Sequence, residues 1–205
     1  MCSSDLNRAG ATLGTTDPPR HDRLRGLIQH AFMKRNLETL AEPIRAIAAE
    51  LAAELAGRDR FDYIGDFSSK FTVRVLFAVL GLPMGDEATV REKAVLMVQS
   101  DPVTRTKGPE HIAAYEWMQA YAARIIALRR AEPCGDLISL LSSAEIDGDR
   151  LEEREVLLTI TTLIMAGVES LAGFLVMFAL NLADHAEARR AVVAVAARSS
   201  SVHLA

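Results

Sequence analysis

The chain has 205 residues, of which 50% are hydrophobic and 24% charged, with a formal net charge of −4. This is globular composition with enough apolar material for one core, and it excludes a disordered or acidic-tail protein. With no surplus of Lys and Arg to meet a phosphate backbone, nucleic acid is excluded as a partner.

Two cysteines, Cys2 and Cys134, stand in no CxxC pair and beside no spaced histidine. A disulfide framework and a structural zinc site drop out, and no metal ligand set is expected. The N-terminus lacks the charged start, apolar stretch and small-residue cleavage site of a secretory signal, which makes a cytoplasmic protein the expectation.

Residues 1–16 read as a loose leader, punctuated by Gly10 and Gly14 ahead of Pro18 and Pro19. From His21, the apolar positions Leu24, Leu27, Ile28, Ala31 and Phe32 recur on one helical face, with Asp22, Arg23, Gly26, His30 and Lys34 opposite. A second helix is predicted from about Leu37 to Ala56, stopped by Gly57, with Pro43 delaying its start. Phe61 to Phe67 reads as a turn leading into a helix from about Ser68 to Gly81. Two further helices, over 86–99 and 109–131, are separated by a mobile loop of turn formers. A short helix over Asp136 to Ser143 precedes Asp147-Gly148, a tight-turn dipeptide. No segment alternates with period two, so the fold class is mainly α.

The last major element, about 152–184, is one long helix whose apolar run from Val156 to Ala183 contains Glu169 as its single ionisable residue. Glu152, Glu153 and Glu155 occupy its first turn, where negative charge complements the helix dipole. Thr159, Thr162, Ala166, Glu169, Ser170 and Gly173 share one narrow stripe. A carboxyl beside an alcohol in an apolar setting can relay a proton. Equally, small residues at that stripe can serve close helix crossing, with Ser170 bonding back to a carbonyl one turn earlier. A spanning helix is disfavoured, because Glu169 lies near the middle and no Trp or Tyr flanks the run; no membrane is expected.

In the first helix, His21 and Arg25 lie four residues apart on the side of Ile28 and Phe32. Two donors there could hold a carboxylate or phosphate, or an acidic side chain elsewhere in the chain. Arg129, Arg130 and the charges at 150–155 read as solvated helix ends, and Met33, Met97, Met118, Met165 and Met177 as core. Cys134 has no His or Lys beside it to make it reactive.

Taken together, these segments resemble the cytochrome P-450 family of haem-thiolate monooxygenases in its soluble bacterial form. Asp17-Pro18-Pro19-Arg20-His21-Asp22-Arg23-Leu24-Arg25 looks like the family's DPPxHxxLR segment, and Ala166-Gly167-Val168-Glu169-Ser170 like its AGxET segment. Between them Gly65-Asp66-Phe67, Val73-Arg74-Val75, Leu80-Gly81-Leu82-Pro83 and Asp136-Leu137-Ile138-Ser139-Leu140-Leu141 follow the family in order and spacing. The resemblance implies haem as cofactor, His21 and Arg25 on its propionates, Ala166 and Gly167 approaching its plane, and Glu169 and Ser170 assisting proton delivery to dioxygen. It also implies that the glycine permits a local widening of the helix. The implied partners are a small apolar substrate, dioxygen, and a ferredoxin-type electron donor with its reductase.

The departures bear on activity. Ser170 stands where the family has Thr, keeping the hydroxyl but losing the methyl that fixes its rotamer. The family's ExxR helix and its cysteine loop, which donates the thiolate to iron, are not found, and Cys2 and Cys134 do not match that loop. The expectation is a partial cytochrome P-450 domain over 17–190, built around the long helix and inactive alone, with a divergent end over 191–205. Both ends suggest a gene fragment, with an adapter-like leader and a frameshift near residue 190. The alternative is a non-catalytic helical protein that binds an apolar ligand or partner through the long helix.

Overall fold

The computed structural model describes residues 12–101 and 103–201, with only the backbone of 198–201. It is mainly α, as the periodicity requires. Of the expected leader, residues 1–11 lie outside the described residues. Leu13–Thr15 form a 3₁₀ turn, and Leu13 packs on the core, so this part is not loose.

Helix α1 spans Arg20–Ala31 and buries Leu24, Leu27, Ile28 and Ala31, the face that its apolar spacing predicts. The expected second helix is divided: Lys34–Leu37 makes one helical turn, Glu38–Leu40 a 3₁₀ turn, and α2 runs from Ala41 to Leu55. Pro43 falls in the first turn of α2, where a missing N–H leaves no bond unmade. Tyr63–Ser68, expected as a turn, is a wide helical turn that feeds directly into α3, Ser69–Leu80. Asp62 starts it by accepting from the Ile64 N–H at 3.0 Å. Helices α4 (Glu87–Val98) and α5 (Pro109–Ala131) pack on each other. In the loop between them Asp101 accepts from the Val103 and Thr104 N–H groups.

Helix α3 stops at Gly81, whose φ of 73° suits a residue without a side chain. A Cβ there would run into the carboxylate of Asp136, which caps α6, Leu137–Ser143, by accepting from Ser139 N–H. Arg129 donates to both the Asp136 carboxylate and the Gly81 carbonyl, so this helix end is tied down rather than solvated. The Asp147-Gly148 turn, both residues at positive φ, joins the two-residue strands β1 (Glu145–Ile146) and β2 (Asp149–Arg150). Helix α7 follows from Glu153 to Asp184, and α8 from Ala186 to Ser201 runs across the boundary expected at 190.

Helices α3, α4, α5 and α6 all pack against α7. Leu24, Phe77, Met97, Met118, Ile125 and Ile160 are fully buried in the resulting core. Met165 is half-buried, whereas Met33 and Met177 are exposed and not core as expected.

The first turn of α7 holds a charge network that residue spacing did not indicate. Glu155, read as a solvated end, is 1% exposed. Its carboxylate accepts from Arg23 Nη1 at 3.0 Å to each oxygen, from Arg20 Nη2 at 3.2 Å and from the Glu152 N–H at 2.9 Å. Arg23, read as facing solvent, also donates to both oxygens of Asp149 and to the Arg150 carbonyl. Burial pushes the Glu155 carboxyl up, but the Glu152 N–H, Arg23 and Arg20 outweigh it and hold the group below the usual carboxylate range. A depressed carboxyl contributes stability that is complete above its unfolded pKa and lost as pH falls through the folded one. Glu155→Gln is therefore expected to cost about 3 kcal/mol at pH 7, lowering Tm by about 6–12 °C, with the difference shrinking below pH 4. Calorimetry of both proteins across pH 3–7 checks this.

Candidate functional site

Helix α7 divides into two halves. Its buried positions, Glu155, Val156, Leu158 to Thr161, Ile164 and Val168, all lie in the first half. Beyond Val168 no described residue of α7 is buried. Phe174 is 61% and Met177 59% exposed, Phe178 and Leu180 are exposed beside them, and the Phe174 and Phe178 rings stack at 6.0 Å. By length and composition α7 could cross a membrane, with a mean hydropathy of 2.1 in its most apolar window.

The expected stripe crosses from the covered half to the bare one. Thr159 is buried, Thr162 half-buried, and Ala166, Glu169, Ser170 and Gly173 are exposed. Glu169 and Ser170 are thus adjacent on an open surface, and the buried carboxylate of this helix is Glu155. The Ser170 hydroxyl donates to the Ala166 carbonyl at 2.6 Å, the back-bond that the packing alternative calls for. Its proton is committed to the helix, and it must swing away, about the Cβ–Oγ bond or about χ1, to be donated elsewhere.

Gly167 does a different task from Ala166. A Cβ at Gly167 would lie 2.8 Å from Cδ1 of Leu76, so its bare backbone admits α3. The helix continues as regular α-helix through 166–170, without the widening expected there.

On α1, His21 is half-buried, and its Nδ1 lies 2.9 Å from Oδ1 of Asp22. Arg25 is exposed and has no hydrogen bond or ion pair among the described residues. Among the described residues the two donors do not share an internal acid: His21 meets Asp22, Arg20 and Arg23 take the buried carboxylate of Glu155, and Arg25 has no acidic partner. No bond links the pair on α1 to Glu169 or Ser170 among the described residues.

A pocket of about 240 Å³ opens beside the covered half of the stripe, lined by Thr15, Met97, His111, Tyr115, Thr162 and Met165 among others. A larger concavity of about 530 Å³ lies away from the stripe, between the Tyr63–Ser68 turn, α3 and α4. Of its cations, Lys70 pairs with Glu54 and Arg74 with Glu50, while Arg91 reaches the Ser69 hydroxyl at 3.5 Å and has no acidic partner among the described residues. Among the described residues no group of His, Cys, Asp and Glu could hold a metal ion.

The sequence and the fold are similar to those of known proteins. No family model matches the sequence. The cyclomarin C epoxidase of Salinispora arenicola is 34% identical over 188 residues, covering 86% of this chain and 47% of the epoxidase. The mycinamicin IV hydroxylase/epoxidase of Micromonospora griseorubida is 34% identical over 175 residues, covering 85% and 43%. Among solved structures, the cytochrome P-450 PksS of the Bacillus subtilis bacillaene polyketide synthase superposes with a TM-score of 0.81 at 29% identity, over 90% of this chain and 47% of its own. Ligand-free cytochrome P-450 TbtJ1 gives 0.79 at 34% identity, over 93% and 51%. The fold and its long central helix are those of the haem monooxygenases. The chain belongs to the cytochrome P-450 family and spans about half the length of the curated relatives it matches.

Since Ser170 is exposed and bonds only to its own helix, Ser170→Ala is expected to change unfolding free energy by less than about 0.5 kcal/mol. Urea unfolding of both proteins tests this, and a larger loss would mean that the hydroxyl is structural.

Proposed function

We propose that this chain is the dioxygen-side portion of a haem-dependent monooxygenase that hydroxylates an apolar small molecule. The observation that carries the reading is Arg25, a guanidinium unpaired among the described residues and beside half-buried His21, on a chain whose relatives are P-450 hydroxylases and epoxidases. Two donors four residues apart suit carboxylates such as the haem propionates. The exposure of Ala166, Ser170 and Gly173, three small residues beside Glu169, suits a flat group laid against the helix. The residues present therefore fit haem on one side.

Haem, when bound, supplies the iron centre at which dioxygen is activated. One oxygen atom enters the substrate and the other leaves as water, with two electrons from a ferredoxin-type donor and its reductase and two protons from solvent. His21 and Arg25 hold the propionates. Ala166 keeps the surface close and apolar, and the Glu169 carboxyl takes up protons from solvent. The Ser170 hydroxyl, once turned about χ1 away from the Ala166 carbonyl, gives up its own proton as it accepts another from the Glu169 carboxyl. Without the Thr methyl that turn is freer, so proton delivery is less tightly directed. The site of action is the cytoplasm, and no thiolate loop is found in the chain, which is inactive alone.

Haem titration followed by Soret absorbance tests this. The wild-type chain is expected to bind haem, and Arg25→Ala to weaken binding about tenfold, as for loss of a charge-assisted hydrogen bond. The ferrous carbon monoxide complex is expected to lack the red-shifted band of thiolate ligation. Binding indifferent to Arg25, or a thiolate band, contradicts the reading. In a competent protein carrying this segment, Glu169→Gln is expected to slow turnover and Ser170→Ala to raise peroxide release per product. Unchanged coupling in both sinks the relay.

A second reading rests on the bare half of α7: a non-catalytic helical protein whose exposed Phe174, Met177 and Phe178 face is covered by a partner. It predicts no haem binding at all.

A further inference from the structure

The 240 Å³ pocket beside Thr162 contains one fully buried side-chain atom without a hydrogen-bond partner among the described residues. The hydroxyls of Thr12 and Thr15 bond to each other, and Lys107 Nζ donates to the Met97 carbonyl. The Tyr115 hydroxyl accepts from Gln119, and Thr161 donates to the Leu157 carbonyl. That leaves His111. The residue is 9% exposed and lines the pocket, yet its Nδ1 is sealed from water and makes no hydrogen bond. Burial, and then Lys107, pull its pKa below the ordinary histidine value against the carbonyls of Leu96 and Met97. The ring is therefore neutral near pH 7, a donor at one nitrogen and an acceptor at the other.

A buried polar atom without a partner costs about 1–3 kcal/mol, and native folds retain few of them. The surrounding walls are mixed: Met97 and Met165 offer apolar surface on two sides, while the half-buried Thr162 has no hydrogen bond among the described residues. An apolar ligand alone would leave His111 and Thr162 unpaired. A ligand with one oxygen function on an apolar frame would pair them and fill the rest of the space.

We propose that His111 is a specificity-determining residue, and that this pocket takes an apolar molecule already bearing a hydroxyl or carbonyl, which bonds to the imidazole edge. The contact is made after a half-turn about χ2, which exchanges the places of Nδ1 and Cδ2. That the ligand is a substrate rests on the monooxygenase reading; that it binds does not.

The test uses the 205-residue chain with 2-indanol and indane, a rigid pair differing by one hydroxyl, titrated by calorimetry and by NMR of the histidine ring protons. Wild type is expected to bind 2-indanol about tenfold more tightly than indane, with the His111 ring resonances moving. His111→Phe keeps the ring and is expected to bind the two about equally, and His111→Gln to restore most of the preference. The same preference in His111→Phe, or a folded wild type that binds neither probe, overturns the proposal. If His111→Phe fails to fold, the wild-type ring resonances decide: unmoved by 2-indanol, they overturn it. A chain that shows the preference but binds no haem contradicts the monooxygenase reading alone. One that binds haem without the preference contradicts only this inference.

Discussion

A carboxylate buried under two guanidinium groups is the constraint from which the placement of the candidate site follows. Glu155 sits at the start of the longest helix, and Arg20 and Arg23 reach it from α1, 132 to 135 residues earlier in the chain. Desolvating that charge is costly, and two arginines, a backbone N–H and a capping geometry are assembled to offset it. Arg23 spans the gap to Asp149, so α1, the β1–β2 hairpin and α7 are joined at one point. Once Arg20 and Arg23 are committed there, Arg25, on the same helix, is left without an internal acid. The clamp and the unpaired Arg25 are two consequences of how three arginines share one helix among the described residues.

The second constraint is the unequal covering of α7. Five helices and the Tyr63–Ser68 turn pack against it, but its buried residues end at Val168. Past that point a helix with the composition of a protein core stands against solvent, with large side chains such as Phe174 and Met177 uncovered. Relatives about twice as long as this chain share its fold over the matched part.

Much of the helical architecture was legible because it depends on local rules. Apolar spacing located α1 and α3 to α6 to within a few residues, and Asp147-Gly148 marked the hairpin turn. The segment 61–67 was harder: a wide helical turn has no 3.6-residue apolar signature, and its start depends on the single side chain of Asp62. The charged residues were the least legible. Glu155 and Glu169 look alike in sequence, one at a helix start and one in an apolar run, and their burial is the reverse of what those surroundings suggest. The difference is made by long-range partners, since Arg20 and Arg23 enclose Glu155 while nothing described covers Glu169. Arg23 lay on the polar side of its helical wheel and still turns inward, because a long side chain can reach around. Gly167 belonged to a recognisable motif, but only packing shows that Leu76 occupies the place of its missing side chain. His111 carried no signal at all, since an orphaned ring nitrogen is a property of the folded pocket.

If the Glu155 clamp sets the pose of α1, weakening it must loosen α1 without melting the rest. Hydrogen exchange read by mass spectrometry on wild type and Glu155→Gln measures that directly. Peptides covering Arg20–Ala31 and the first turn of α7 are expected to lose protection in the variant, while those from α4 and α5 keep theirs. Unchanged protection of α1, or an equal loss across every helix, would contradict a local clamp and leave the orientation of His21 and Arg25 to be explained by the core alone.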